Sequence, residues 1–159
     1  MSTETILQAL RSKGRKLIFA ESLTGGLLVD AFVSVAGASD VVLGSEVTYA
    51  NELKVSLLGV DEADLAEYGA ISSEVAKQMA QGVYAIGQVG ADLADGQVIA
   101  LATTGNAGPD GDPVGLVYLA LHDGQRTKVR ELRLTGTRQE IRQETVVQAI
   151  ELMREHLGL

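Results

Sequence analysis

The chain has 159 residues, 46% of them hydrophobic, which fits one domain with a core large enough to need no staples. It has no cysteine, which excludes a disulfide framework, a thiol nucleophile and a thiolate metal site. A formal net charge of −8 and an aromatic content of 4% argue against direct nucleic-acid binding, which asks for a basic face or an aromatic stacking platform.

In chain order, the first helix is expected over Thr3 to Lys13, with Ile6, Leu7 and Leu10 at helical spacing. Lys16 to Ala20 is a short apolar run that reads as a buried strand, and Glu21-Ser22-Leu23-Thr24-Gly25-Gly26 follows it directly. Leu27 to Val35 reads as a helix, Gly37 to Asp40 as a break, and Val41 to Tyr49 as a second strand. Short helices are expected over Asn51 to Leu58 and Asp61 to Tyr68. Ser72 or Ser73 then caps a longer helix whose inner stripe is Val75, Met79, Val83 and Ile86. Val98 to Thr103 has the unbroken apolar character of a strand buried on both faces and is placed at the sheet centre. The glycine-rich loop from Thr104 to Pro113 precedes two strands, Val114 to His122 and Thr127 to Leu134, joined through the hairpin signal Asp123-Gly124. The last helix runs from about Thr137 to His156, with Val146, Ile150, Met153 and Leu157 on one side. Alternating strands and helices with one late hairpin predict an α/β fold, a three-layer α/β/α sandwich with a mixed sheet, as a single domain over residues 1–159. No apolar run reaches the length of a membrane span, and the N-terminus lacks the basic start and apolar block of a signal peptide. The expected compartment is the cytoplasm.

Ligands of open α/β sheets bind beyond the carboxyl ends of strands. Three segments qualify: Ser22 to Gly26, Tyr49 to Lys54 and Thr104 to Gly111. The first has a strand–Ser–helix layout that can expose a nucleophilic hydroxyl, with the N–H groups of Thr24, Gly25 and Gly26 facing an anion; equally, Ser22 can be a plain N-cap. The loop with Gly105, Gly108 and Gly111 matches neither a dinucleotide fingerprint nor a P-loop, and reads as a ligand-approaching loop or a tight surface turn. Lys54 is either a solvated helix residue or a buried amine with a lowered pKa, and Tyr49 either a packing residue or a site residue. Arg138 and Arg142 share one face of the last helix, where they can meet a phosphate or pair with nearby glutamates. Neither His122 nor His156 lies near a glycine loop or candidate strand end, so a Ser-His-Asp triad is not expected, and no residue spacing suggests a metal site.

These motifs resemble, in order, those of the CinA C-terminal-domain family, which includes the stand-alone PncC-type nicotinamide-nucleotide amidases. Ala20 to Gly26 resembles its AES-(C/L)-TGG signature, and Gly37 to Asp40 its next motif. Val47 to Lys54 resembles VTYSNEAK, Leu58 to Val60 the LGV, and Tyr68 to Ser72 HGAVS. Thr104 to Pro109 resembles TGIAGP, Pro113 to Gly115 the PVG, and Gly136 to Arg142 the closing GDR-x-x-(V/I)-R. The resemblance implies hydrolysis of nicotinamide mononucleotide to nicotinic acid mononucleotide and ammonia, without metal or organic cofactor. It implies Ser22 as nucleophile and Lys54 with Tyr49 as the base. It places Ser39, Thr104 and Arg142, with Arg138 as the alternative, at the substrate; Gly105 and Gly108 would help hold the phosphate. The chain departs from the pattern at Asn106, at Ala50 and in a shorter loop from Gly108 to Pro113. The N-terminal pyrophosphatase domain of fused relatives is not expected. The small-molecule substrate is the expected partner, with no membrane and no direct nucleic-acid contact, in a homo-oligomer, the usual form of soluble assemblies. The competing readings are a nucleotide sensor without turnover and a partner-binding domain linked to competence or DNA damage.

Overall fold

The computed structural model of the chain describes residues 2–159. Five strands, β1 (Lys16–Glu21), β2 (Val42–Val47), β3 (Val98–Gly105), β4 (Leu116–His122) and β5 (Thr127–Arg133), form one sheet in the order β2-β1-β3-β4-β5. β1 runs parallel to β2 and β3, whereas β3–β4 and β4–β5 are antiparallel, so the sheet is mixed. The strand expected at the centre, β3, is there; Val98 to Thr103 are fully buried because helices cover both of its faces. One face packs against α1 (Thr3–Ser12), α2 (Leu27–Val33) and α6 (Arg138–Leu157), through Leu17, Phe19, Leu28, Phe32, Ile99 and Met153. The other face packs against α5 (Ser73–Gly90), with Ala20, Ala100, Ala102 and Ala120 offering small side chains beneath Val75, Met79 and Val83. The architecture is therefore the expected three-layer α/β/α sandwich.

Local signals fix the boundaries. Ser72 caps α5 by accepting the Val75 N–H, and Thr137 with Glu140 forms a full capping box on α6. α3 (Asn51–Leu58) and α4 (Glu62–Tyr68) connect β2 to α5, and α3 ends at Gly59 in the left-handed conformation. Gly82 lets α3 and α5 touch: a Cβ there would overlap the Leu58 carbonyl.

Two expectations change, and a third holds. Ile86 is 37% exposed and not part of the inner stripe, because α5 there lies over the edge strand β2, where the sheet ends. Ala76, Ala80, Tyr84 and Gly87 complete the buried arc instead. On α6 the buried line is Ile141, Thr145, Val146, Ala149, Leu152 and Met153, with Ile150 and Leu157 only partly buried. The hairpin turn spans residues 123–126, with Asp123 Oδ1 accepting the Gln125 and Arg126 N–H groups. No helix among the described residues is long and apolar enough to cross a membrane.

Candidate active site

β1 ends at the sheet's carboxyl rim, and the next residue is Ser22. Lys54, from the first turns of α3, extends beneath this rim: its Nζ lies 3.0 Å from Ser22 Oγ, 2.7 Å from the Thr48 carbonyl oxygen and 3.1 Å from the Tyr49 carbonyl oxygen. Lys54 is only 1% exposed and pairs with no carboxylate among the described residues. Burial lowers its pKa from the usual 10.5 to about 8, because the ammonium loses its hydration. In the neutral amine the two N–H bonds can donate to the Thr48 and Tyr49 carbonyls. The lone pair then faces the third neighbour, the Ser22 hydroxyl, and can accept its proton. Of the two readings of Lys54, the structure selects the buried one.

The turn that presents Ser22 is held by a group the sequence reading overlooked. Glu21 is fully buried, and its carboxylate accepts the Thr24 hydroxyl (2.7 Å), the Ser45 hydroxyl (2.8 Å) and the N–H groups of Gly26 (3.2 Å), Leu28 (2.9 Å) and Val29 (3.2 Å). The positive start of α2 is thus neutralised from inside the protein. Gly25 and Gly26, at φ +58° and +104°, turn the chain so that this can happen. The only sequence cue was a carboxylate directly after the buried apolar run Leu17 to Ala20. Thr103, also overlooked, offers its hydroxyl to the Ser22 N–H (3.4 Å) and the Thr24 hydroxyl (2.9 Å).

The expected substrate contacts are revised accordingly. Gly26 spends its N–H on Glu21 and Gly25 spends its own on the Ser22 carbonyl, so neither is an anion donor. The Thr24 side chain is internal, while the Leu23 and Thr24 N–H groups meet no acceptor among the described residues. Tyr49 is 63% exposed, with its phenol oxygen bonded to Arg138 (3.1 Å); Lys54 meets its carbonyl and not its phenol, so a proton path through Tyr49 is not formed. Thr104 is buried and donates to the Ala70 carbonyl (2.7 Å), tying the glycine loop to the segment before α5. Gly105 is the last residue of β3, paired with Val117. Gly108 gives its N–H to the Asn106 side chain (2.8 Å) and its carbonyl to Arg138, so it does not cradle a phosphate either. Asn106, the departure from the family pattern, organises this loop from within. Arg142 braces the Leu23 and Thr24 carbonyls. Ser39 precedes β2, at the amino end of the parallel strands, and so stands a strand length of roughly 20 Å from Ser22 in the same chain.

A cleft of about 340 Å³ opens beside the glycine loop, lined by Tyr68, Ala70, Ile71, Asn106 and Pro113 among others, and Ser22 is not on its wall. Among the described residues no three His, Asp or Glu side chains gather as a metal centre requires.

Fold and rim together define a mixed α/β domain that buries a Ser–Lys pair at the carboxyl end of its first strand. The chain belongs to the family described as the CinA C-terminal domain, which matches residues 1–157. It is 42% identical over 156 residues to a CinA-like protein of Syntrophomonas wolfei and 46% identical over 156 residues to one of Geobacter sulfurreducens. Each match covers 96% of this chain and 36% of the relative, so the chain spans little more than a third of their length. Among solved structures it is similar to the competence/damage inducible protein CihA from Agrobacterium tumefaciens, at 36% identity and a TM-score of 0.89, covering 99% of this chain and 93% of that one. A CinA superfamily protein from Klebsiella pneumoniae is similar at 29% identity and a TM-score of 0.87, covering 99% of each chain.

Proposed function

We propose that the chain hydrolyses the carboxamide of nicotinamide mononucleotide to nicotinic acid mononucleotide and ammonia. The observation that carries this reading is the 3.0 Å contact between Ser22 Oγ and a buried lysine amine whose other two partners are main-chain carbonyls. The substrate comes from the resemblance to the nicotinamide-nucleotide amidases of the family.

Neutral Lys54 takes the Ser22 proton as Oγ bonds to the carboxamide carbon, and the carbonyl becomes an oxyanion. The N–H of the residue after the nucleophile, Leu23, together with that of Thr24, is the donor pair left to stabilise that charge. Lys54, now an ammonium, returns the proton to the departing nitrogen, which leaves as ammonia, and Ser22 carries the acyl group as an ester. Water then gives a proton to Lys54 and its oxygen to the acyl carbon, and the ester bond to Oγ breaks as Ser22 is reprotonated. Tyr49 offers an exposed ring face to the cationic pyridinium. Arg138, the exposed guanidinium beside Tyr49 and Gly108, takes over the phosphate contact first expected of Arg142.

Incubation with nicotinamide mononucleotide, with ammonia and nicotinic acid mononucleotide quantified separately, tests this. The two products are expected in equal amounts from the native chain and not from Ser22→Ala. Undiminished turnover by Ser22→Ala would reject the nucleophile, and no turnover by the native chain would reject the substrate.

A further inference from the structure

Arg142 opens the second turn of α6 yet reaches back across more than a hundred residues to the nucleophile turn. Its Nε donates to the Leu23 carbonyl at 2.8 Å and its Nη2 to the Thr24 carbonyl at 3.3 Å. Nη1 is held by Gln139 of the same helix at 2.9 Å. The Nε/Nη2 edge is the one with which an arginine grips a phosphate or carboxylate side-on. Here it is spent on two consecutive main-chain carbonyls.

That choice has a geometric consequence. In a planar trans peptide the C=O and the following N–H point in opposite directions. Drawing the Leu23 carbonyl toward Arg142 therefore turns the Thr24 N–H away from it, and this N–H and that of Leu23 are the two in the turn that meet no acceptor among the described residues. From the other side the Glu21 carboxylate holds the N–H groups of Gly26, Leu28 and Val29. The turn is clamped by a cation on its carbonyls and an anion on its amides. The Gly25 position is shaped to the same end: a Cβ there would lie 3.2 Å from Arg142 Nη2, and φ is +58°.

We propose that Arg142 is a positioning residue for the oxyanion site, acting through the Leu23–Thr24 peptide, and is not the ligand of the substrate phosphate. The proposal rests on Ser22 being an acyl-transfer nucleophile, as in the amidase reading, but not on which amide is cleaved.

The test compares the native chain with Arg142→Lys and Arg142→Ala, using nicotinamide mononucleotide and its phosphate-free analogue nicotinamide riboside. A lysine cannot hold two carbonyls with one planar fork. Both variants are expected to lose kcat by at least about tenfold, in line with a disturbed oxyanion donor. KM should hold within about twofold, and the preference for the phosphorylated substrate should stay unchanged. Guanidinium ion added to Arg142→Ala should restore part of the lost kcat. A raised KM for the mononucleotide with kcat retained, and loss of the preference, would make Arg142 the phosphate ligand and overturn the proposal. A second readout does not depend on the amide substrate: the rate at which a fluorophosphonate labels Ser22, followed by intact mass, since its transition state needs the same donors. Labelling at least about tenfold slower in Arg142→Lys is expected. Equal rates in the native chain and the variant, including no labelling of either, would overturn the proposal. Fast labelling of a native chain that releases no ammonia would instead reject the amidase reading and leave the positioning role standing.

Discussion

Acidity is the perturbation to which the Ser22–Lys54 pair should respond most sharply. With the Lys54 pKa near 8, about half of the amine is neutral at that pH. By the same titration about 9% is neutral one pH step lower and about 1% two steps lower. Only the neutral amine can accept the Ser22 proton, so kcat/KM should rise with pH. It should gain roughly tenfold per pH step at the acid end, about fiftyfold in all between pH 6 and pH 8, and level off above pH 9. Ammonia release from nicotinamide mononucleotide, measured at fixed ionic strength, gives the profile directly. Lys54→Arg, whose guanidinium has no lone pair to offer, should lose about 10²–10⁴ in rate and should not recover it at high pH. A flat profile, or an inflection near the ordinary histidine value, would refute the neutral-amine argument. The same burial has a thermodynamic side. Lowering the amine's pKa from 10.5 to about 8 corresponds to roughly 3 kcal/mol of lost stability at neutral pH. The unfolded chain keeps this proton up to a higher pH than the folded chain does. Lys54 therefore makes stability rise between about pH 8 and pH 10.5. Lys54→Met should abolish that rise in an equilibrium unfolding series.

Two further substitutions test how the site is built. Glu21→Gln keeps the side chain's shape but turns an NH₂ toward the N–H donors of α2. A loss of about 1–3 kcal/mol is expected, roughly 3–10 °C in Tm by calorimetry, together with a fall in kcat; unchanged Tm would show that the carboxylate is not needed as an acceptor. Gly82→Ala places a methyl into the Leu58 carbonyl, so it should cost about 1–3 kcal/mol and, by shifting α3, weaken the Lys54 contact; native stability and activity would show that α3 is free to move.

Much of this was legible because burial writes itself into composition. Lys16 to Ala20 and Val98 to Thr103 are apolar runs, and both became central strands. The serine pair Ser72-Ser73 announced the start of α5, and the last helix, expected from about Thr137, starts there behind a capping box. Ser22 was a candidate from its strand–Ser–helix layout and Lys54 from its place after the second strand, but only the family pattern chose the functional reading of each over the plain one. Their contact joins residues 32 apart in the sequence, and periodicity carries no information on it. The misread residues share one cause. A glycine or arginine near a site has the same appearance in sequence whether it meets a ligand or the protein itself. Gly26, Gly108 and Arg142 all bind the protein, because Glu21, Asn106 and the Leu23–Thr24 carbonyls reach them first. Ile86 kept the helical period of its neighbours, but it stands over the edge strand β2, where no further strand covers it.

The uncharged state of the Lys54 amine is the point on which the chemistry turns, and it can be observed without any substrate. With ¹⁵N-labelled lysine, NMR titration of the side-chain nitrogens of the five lysines should show one signal titrating near pH 8, well below the usual 10.5. The displaced signal should vanish in Lys54→Arg. All five titrating together near 10.5 would contradict the account, since Ser22 would then face an ammonium with no lone pair to receive its proton.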